Sequence, residues 1–336
     1  MATAGEEGRE SCGEFSMKIT FYAGHPYYGG LANNGGSATI LKSVRALRQM
    51  GHDANVVTKV DRFSWFPHRK ALSSIPKDTD VCIAVSSNDI KPMLTRMPKK
   101  AKPFYWCRLL DYPAKIEKKK LIRHASSVTT LVNSVNLHEW FNGHGVENTI
   151  CYQGLDMFEW EDQGLRVDAK TLGFLVSSKK RKNFALVERI VKALGDEYAY
   201  VGYGASADQN KATKAFTKEH FRYLNTDMNH TQLCALYNVV GTWVVTSKKE
   251  GLHNPPMQAA MCGCAVVFPD IRSCGCFDHC VDGETAWMYD VGEIGSAVEA
   301  IRQADGSRNE QHKELIQAKI GTREEAMARF VEALNG

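Results

Sequence analysis

The sequence predicts an α/β protein built from two doubly wound domains that face each other across a cleft. Three observations lead to this prediction. The chain has 336 residues, which suits two domains of about 150 residues each. Short apolar runs alternate with amphipathic runs, which is the order of parallel strands and their covering helices. This alternation begins near residue 18 and begins anew near residue 171.

The first half contains six strand-like segments, at residues 18–23, 54–58, 80–85, 104–106, 127–132 and 148–152. A glycine-rich segment with Gly30, Gly35 and Gly36 follows the first of them and leads into a helix at 37–50. We expect residues 1–16, which are polar and acidic, to form a disordered leader. Residues 17–165 then form an N-terminal Rossmann-like domain.

The second half repeats the alternation, with strands predicted at 171–177, 198–201, 241–246 and 265–268. The clearest helices are predicted at 183–194, 232–237, 255–262, 310–320 and 323–334. We expect a C-terminal Rossmann-like domain over residues 166–320. The last helix, within 321–336, is expected to pack back on the N-terminal domain.

The composition excludes several classes of protein. Hydrophobic residues make up 43% and charged residues 24% of the chain, which is ordinary for a globular protein. No stretch approaches the roughly 18 uninterrupted apolar residues of a membrane span. Residues 1–16 lack the apolar core of a signal peptide. We therefore expect a cytoplasmic protein, in the host cytoplasm if the chain comes from a phage.

Ten cysteines raise the question of disulfides or metal. A cytosolic chain of this size keeps its thiols reduced. The C-x-C and C-x3-C spacings differ from the paired C-x2-C of common zinc sites. We expect free thiols and no metal, with zinc as the alternative for one group of side chains: Cys262, Cys264, Cys274, Cys276, His279 and Cys280.

The net charge of +4 is unevenly distributed. Residues 17–170 carry 22 Lys and Arg against 14 Asp and Glu. Two basic runs stand out, one containing Lys99 and Lys100 and the other containing Lys119 and Lys120. They are either solvated surface or a binding surface for a polyanion such as DNA, or for an acidic membrane.

Residues 246–270 carry the most specific chemical pattern. A strand ends near Thr246, and Glu250 follows in a polar loop. Asn254 suits an N-cap and Pro255 a first helical turn. The N-terminus of such a helix offers backbone N–H groups and partial positive charge to a phosphate. Glu250 would lie at the carboxyl edge of the sheet, where open α/β sheets bind ligands.

This segment, EGLHNPP followed by AAMCGCAVV, resembles the signature of retaining GT-B glycosyltransferases. These are the family 4-type group that includes glycogen synthase-like and lipopolysaccharide glycosyltransferases. The resemblance implies the GT-B fold and a donor site in which Glu250 contacts the sugar. Gln258 stands where the family has a ribose-binding glutamate. The loop that holds the distal phosphate corresponds to Gly251 and the backbone of Leu252, His253 and Asn254.

Further segments match the same family. The strand at 172–177 leads into Lys179, Arg181 and Lys182, where the family uses an arginine and a lysine to clamp the diphosphate. Lys182 matches the lysine, and either Lys179 or Arg181 the arginine. Gly202 and Gly204 match a glycine pair beneath the base. In the first half the match to the family is less close. There Gly30, Arg108 and Asp111 correspond to donor-side or acceptor-side positions of the family.

The resemblance implies a transferase that moves a sugar, with retained configuration, from a nucleotide-diphosphate sugar to a hydroxyl acceptor. The donor is expected to be a UDP-sugar, and without an Asp-x-Asp motif we expect no metal requirement. The acceptor is a glycan or glycolipid, a hydroxymethylated base in double-stranded DNA as in phage DNA modification, or a small molecule. The alternative is a degenerate protein that binds nucleotide sugar or nucleic acid without transfer. The basic run residues Lys99, Lys100, Lys119 and Lys120 are the acceptor-side candidates, with Arg108 and Asp111.

Overall fold

A computed structural model describes residues 16–24, 30–110, 115–165, 168–307 and 309–336. It contains two six-stranded sheets, one in each half of the chain. Within the described residues, all neighbouring strands of the two sheets are parallel. The predicted α/β, doubly wound fold class is therefore confirmed. The expected leader lies outside the described residues, apart from Ser16. Within the described ranges no helix combines the length and the apolar character needed to cross a bilayer.

The first sheet consists of β1 Lys18–Tyr22, β2 Asp53–Val57, β3 Val81–Ala84, β4 Lys102–Cys107, β5 Thr129–Val132 and β6 Asn148–Ile150. Its strand order is β2-β1-β3-β4-β5-β6. The covering helices are α1 Gly35–Gln49, α2 Ser87–Leu94, α3 Lys115–Ala125 and α4 Val135–Asn142. Asn34 caps α1 by accepting a hydrogen bond from the Ser37 amide, which fixes where the helix leaves the glycine-rich segment.

The second sheet consists of β7 Asp168–Leu175, β8 Ala199–Gly204, β9 Tyr223–Thr226, β10 Val240–Val244, β11 Ala265–Pro269 and β12 Trp287–Tyr289. Its helices are α5 Phe184–Leu194, α6 Lys211–His220, α7 His230–Asn238, α8 Asn254–Met261, α9 Ile294–Ala304 and α10 Glu310–Lys319. The strand order is β12-β11-β10-β7-β8-β9. The order therefore reverses between β7 and β10, and such a switch point opens a crevice at the carboxyl ends of the two strands.

Close packing holds β7 and β10 side by side. A Cβ on Gly173 in β7 would lie 2.5 Å from Cε3 of Trp243 in β10, so only glycine leaves room for the fully buried indole. The five residues of β10 are all buried, as are those of β11. Strands covered on both faces read as continuous apolar runs rather than alternating ones, which is why these two were visible in the sequence.

The last helix, α11 Arg323–Asn335, packs on the first half of the chain. Phe330 stacks on Phe21 of β1 with 6.2 Å between ring centroids and contacts Trp106 of β4 at 5.0 Å. The segment before α11 pairs with the connection between the halves, because the Leu155 amide donates to the Gly321 carbonyl over 3.1 Å. The domain boundaries at residues 165 and 320 stay predictions.

A buried ion cluster joins the two halves near this connection. Asp156 is 3% exposed and lies 3.0 Å from the Lys42 ammonium of α1 and 3.0 Å from the Arg323 guanidinium of α11. Lys42 also contacts Glu159, which lies 3.1 Å from the His230 ring at the start of α7. Both Asp156 and Glu159 contact Lys42. The cluster therefore holds the connection between the halves against α1 of the first half and against α7 and α11 of the second.

Candidate functional site

The candidate site lies at the switch point of the second sheet. The segment after β7 carries Arg181 and Lys182, and the segment after β10 carries Glu250. These two strands pair in parallel, with Phe174 opposite Val244. Their carboxyl ends therefore meet at one edge of the sheet, and side chains far apart in sequence come together there.

Glu250 is the meeting point of two cations. Its Oε1 atom lies 2.6 Å from the Lys182 ammonium and 2.7 Å from Nη1 of Arg181. The side chains of Lys182 and Glu250 are only 12% and 11% exposed, whereas Arg181 is 34% exposed. The arrangement carries one net positive charge in a largely desolvated position, where electrostatic attraction for an anion is stronger than in water.

Burial and charge act in opposite directions on these groups. Burial raises the pKa of Glu250, but the charges of Lys182 and Arg181 outweigh it and lower the pKa to about 2. Burial lowers the pKa of Lys182, against the attraction of Glu250. Burial also lowers the pKa of His253 to about 3, so its ring is neutral at physiological pH. Glu250 is therefore a carboxylate at every pH at which the protein is expected to work.

Hydrogen bonds join the three loops that surround Glu250. Thr246 Oγ1 donates to the Lys182 carbonyl over 3.0 Å, and the Lys248 amide donates to the Arg181 carbonyl over 2.8 Å. The Glu250 amide donates to the Ser273 carbonyl of the loop after β11, also over 2.8 Å. The backbone that carries the three charged side chains is thus held in place without a ligand.

The N-terminus of α8 offers fewer free amides than the sequence suggested. The helix begins at Asn254, so His253 rather than Asn254 is the N-cap, and it makes no side-chain cap bond. The His253 amide already donates to the Gly275 carbonyl over 3.1 Å. Pro255 and Pro256 have no N–H group. Among the hydrogen bonds of the described residues, the amides of Leu252 and Asn254 are left for a ligand.

Lys179 and Arg181, the two candidates for the arginine position, have different ion-pair partners. The Lys179 ammonium pairs with Asp208 over 2.8 Å and is 52% exposed, whereas Arg181 reaches Glu250. Lys179 therefore has a partner outside the Glu250 group, because the short 3-10 helix at Lys180–Lys182 turns Arg181 and Lys182, but not Lys179, toward it.

Packing accounts for three of the candidate glycines. A Cβ on Gly204 would lie 2.0 Å from the Val176 carbonyl oxygen, and one on Gly202 would lie 2.8 Å from the Val176 side chain. Gly30 has a φ of +111° and would place a Cβ 2.9 Å from the Val60 carbonyl oxygen. These positions need glycine within the fold itself, so their glycines are not by themselves evidence for a ligand.

Gln258 lies on α8 beside the buried Tyr237, which contacts the half-buried Tyr203. Its Oε1 atom accepts a hydrogen bond from the Tyr237 hydroxyl over 3.4 Å, and Tyr237 lies 3.0 Å from the Tyr203 hydroxyl. Gln258 is itself half-buried. Its amide group therefore remains accessible on one side, at the same helix whose start borders Glu250.

Arg108 of the first half contacts the second-half site. A Cβ on Gly251 would lie 1.9 Å from the Arg108 carbonyl oxygen, so these two segments touch backbone to backbone. Arg108 Nη1 donates to the Gly36 carbonyl over 2.6 Å. Arg108 thus links the glycine-rich segment of the first half to the loop that carries Glu250, and its role in donor or acceptor binding stays a prediction. Asp111 lies outside the described residues.

The two basic runs lie at opposite edges of the first sheet. Lys99 and Lys100 precede β4, at the amino ends of the strands, whereas Lys119 and Lys120 lie in α3, which follows the carboxyl end of β4. All four are exposed. Lys119 and Lys120 thus lie in the helix that leaves the carboxyl edge, whereas Lys99 and Lys100 lie in the connection at the amino ends of the strands.

Sequence reasoning missed several residues that shape the site. Gln153 donates to Asn254 Oδ1 over 2.7 Å and accepts from Asn133 over 2.8 Å. Ser273 and Gly275 supply the carbonyls that bind the Glu250 and His253 amides. These contacts span 20 to more than 100 positions and involve ordinary polar residues, so no local pattern marks them.

Solved structures with this architecture identify the fold. HepE from Anabaena, in complex with UDP-glucose, aligns over 94% of this chain and 100% of its own, with a TM-score of 0.74 and 13% identity. Sucrose-phosphate synthase from Thermosynechococcus elongatus aligns over 95% and 98%, with a TM-score of 0.73 and 12% identity. The chain has the GT-B fold. The predicted pair of Rossmann-like domains is therefore confirmed.

A third GT-B structure, TarM of S. aureus, has a TM-score of 0.64 and 16% identity over 77% of this chain. The chain spans only 55% of the length of TarM. No protein-family model and no curated protein matches the sequence. At these identities the likeness establishes the GT-B fold, and activity has to be argued from the site.

Proposed function

We propose that the protein is a retaining glycosyltransferase that moves a sugar from a nucleotide-diphosphate sugar to a hydroxyl group. The observation that carries this proposal is the convergence of Arg181 and Lys182 on Glu250 beside the start of α8. It combines cations and free amides for a diphosphate with a carboxylate for sugar hydroxyls. Such a set also argues against the degenerate binding protein, which has no need to keep all three charges.

In the proposed reaction the bond between the sugar C1 and the diphosphate oxygen breaks, and a bond between C1 and the acceptor oxygen forms. The acceptor proton passes to the leaving diphosphate. Negative charge therefore develops on the phosphates as the bond breaks. Lys182, Arg181 and the amides of Leu252 and Asn254 stabilise that charge, and each such donor typically contributes about 3 to 4 kcal/mol to lowering the barrier.

We propose a UDP-sugar as the donor, with Gln258 bound to the ribose. HepE has been solved with UDP-glucose, and starch synthase IV from Arabidopsis thaliana with ADP, so the same fold accepts both kinds of nucleotide. A glutamine accepts and donates hydrogen bonds without charge. No step of this reaction needs a metal ion at the diphosphate, since two cationic side chains already lie there.

For the acceptor we propose a glycan or glycolipid hydroxyl. The aromatic residues that suit base stacking are engaged within the protein: Trp65 and Phe66 both pack on His230, at 5.8 and 5.9 Å between ring centroids. A cavity of about 300 Å³ beside them is lined by Arg45, Arg48 and Arg69 among other residues, which favours an acceptor that carries anionic groups.

Modified duplex DNA remains a second candidate because Lys119 and Lys120 are exposed on α3. DNA binding that depends on a few lysines weakens steeply with salt. A mobility-shift assay with duplex DNA at low and moderate salt separates the two acceptors. Absence of binding at low salt rules out DNA, whereas salt-sensitive binding that weakens in a Lys119→Ala, Lys120→Ala variant supports it.

The donor site is tested with Lys182→Ala and Glu250→Ala. Each variant is assayed for hydrolysis of UDP-glucose, and of other nucleotide sugars, without an acceptor. We expect kcat/KM to fall by about 100-fold or more while circular dichroism and the unfolding midpoint show a folded protein. Lys214→Ala, which removes an exposed lysine of α6, is the matched control. Near-normal turnover in both site variants contradicts the assignment.

Wild-type protein provides the test of activity itself. If it binds UDP but neither hydrolyses nor transfers from any of a panel of UDP-, ADP- and GDP-sugars, the degenerate binding protein is the better description. Product analysis by proton NMR of the anomeric signal distinguishes retention from inversion. An inverted product contradicts the retaining mechanism but leaves the donor site assignment intact.

A further inference from the structure

A second cluster of reactive side chains takes no part in the proposed reaction. It lies next to residues 250–254, which we call the donor loop, since Sγ of Cys276 is 3.9 Å from Nδ1 of His253. Cys276, His279 and Cys280 have Sγ and ring nitrogen atoms that all lie within 4.8 Å of one another. His312 of α10 lies against two of these residues. Its Nε2 atom lies 3.2 Å from Nδ1 of His279 and 3.7 Å from Sγ of Cys280, and that Sγ lies 3.3 Å from Nδ1 of His279.

The three distances among the His279, Cys280 and His312 atoms are close to the edges of a zinc tetrahedron. With Zn–S of about 2.3 Å and Zn–N of about 2.0 to 2.1 Å, two nitrogens lie about 3.4 Å apart and a nitrogen and a sulfur about 3.6 Å apart. The three distances among the His279, Cys280 and His312 atoms differ from these values by about 0.3 Å or less. We propose that Cys276, Cys280, His279 and His312 bind one Zn²⁺ ion.

Burial and charge agree with this proposal. The four residues are between 0% and 4% exposed. Zinc binding releases the two thiol protons to solvent, and two thiolates then balance the two charges of the ion while the imidazoles stay neutral. The site as a whole is neutral, which is the condition for placing an ion in an apolar interior.

The C-x3-C spacing differs from the C-x2-C spacing of common zinc sites, but it suits a compact turn. The amides of His279 and Cys280 both donate to the Cys276 carbonyl, over 2.9 and 2.8 Å, and this brings the two sulfurs to one side of the turn. The fourth ligand comes from a helix 32 residues after Cys280. A sequence search for paired C-x2-C motifs cannot detect this combination.

The position of the turn gives the ion a structural role. Asp278, within the turn, accepts hydrogen bonds from the Val135 amide over 2.8 Å and the Tyr152 hydroxyl over 2.9 Å. The preceding Gly275 carbonyl binds the His253 amide. Zinc would therefore fix α10 to a turn that supports the donor loop on one side and the first half of the chain on the other.

Metal content of the full chain is the direct test. The protein is expressed without an affinity tag that binds metal, purified without chelator, and analysed by inductively coupled plasma mass spectrometry. We expect one zinc per chain. X-ray absorption at the zinc edge should show two sulfurs at about 2.3 Å and two nitrogens at about 2.0 to 2.1 Å. Protein that has no zinc, and binds none when reduced and supplied with it, overturns the proposal.

Variants identify the ligands. Cys280→Ala and His312→Ala should each lower zinc affinity at least about tenfold, measured by competition with a chromogenic chelator. Cys82→Ala, which removes another fully buried thiol in the first sheet, is the matched control and should keep its zinc. If the variants do not fold, the absorption spectrum of the wild type decides, since a shell without two sulfurs and two nitrogens overturns the assignment. All nine described cysteines are free of disulfides.

Discussion

Gly251 is the position where a single methyl group should separate the two halves at the donor loop. A Cβ there would lie 1.9 Å from the Arg108 carbonyl oxygen and 2.8 Å from Oδ1 of Asn133. Real Cβ atoms essentially never approach other heavy atoms closer than 3.0 Å. The obstruction is main chain that directly follows β4, so it cannot swing aside as a flexible side chain does. In Gly251→Ala the loop must retreat by about 1 Å, and Glu250 retreats with it.

The size of the effect follows from this displacement. A 1 Å misplacement of groups that position a substrate can cost about 100-fold in rate, which corresponds to about 2.7 kcal/mol in the barrier. We expect kcat/KM for UDP-glucose hydrolysis to fall by about that factor. The unfolding midpoint should change little, because the strain is relieved by movement of a loop rather than by opening a core.

The assay compares three proteins under identical conditions. Steady-state hydrolysis and calorimetric UDP binding are measured for wild type, Gly251→Ala and Gly295→Ala. Gly295 is exposed in α9 with no atom within 4 Å of an added Cβ, so its substitution controls for the change from glycine to alanine. If Gly251→Ala keeps wild-type turnover and UDP affinity, the donor site does not require the contact between Gly251 and Arg108, and the reasoning is refuted.

Three further predictions concern charges. Asp156→Asn leaves Lys42 and Arg323 buried without a carboxylate partner and should lower the free energy of unfolding by about 3 to 5 kcal/mol in urea denaturation. Glu197→Gln, at an exposed ion pair, should lower it far less, because exposed pairs are well solvated. Burial raises the pKa of Asp156, but Arg323 and Lys42 lower it to about 2. The contribution of Asp156 to the free energy of unfolding is therefore complete above its unfolded pKa near 4 and is lost as the pH falls toward 2. The wild type should lose more stability than Asp156→Asn between pH 5 and about pH 2, and equal losses contradict this origin. Gln258→Glu should tighten UDP binding by about 1 kcal/mol, roughly fivefold, if the ribose lies there, and weaker binding in calorimetry argues against that position.

The fold was predictable because the strands of the second half are buried on both faces. β10 and β11 are buried along their whole length, and their sequences are mostly apolar, so they stand out from the polar segments around them. The shorter edge strands were harder. β9 and β12 have four and three residues, which is too short for a pattern to stand out, so the sequence did not reveal that the second sheet has six strands.

The site was only partly predictable, for a physical reason. Glu250 and Lys182 were found because each follows a strand, and parallel strands bring their ends to one edge whatever lies between them in sequence. The amide count at α8 failed because the His253 amide is used by Gly275, a tertiary contact. The role of the two basic runs stays a prediction, because sequence spacing does not reveal the edge of the sheet at which each connection lies.

Several contacts between the halves involve the loops of the proposed donor site, and this has a mechanistic consequence. Gly251 touches Arg108, Asn254 is bound by Gln153, and Asp278 is bound by Val135. A donor that displaces any of these loops therefore changes the fit between the halves, and a change in that fit moves the groups that bind the donor. The free energy that couples donor binding to domain orientation is reciprocal. An acceptor bound to the first half would then alter donor affinity without touching Glu250, and the sign of that change is set by which orientation each ligand prefers.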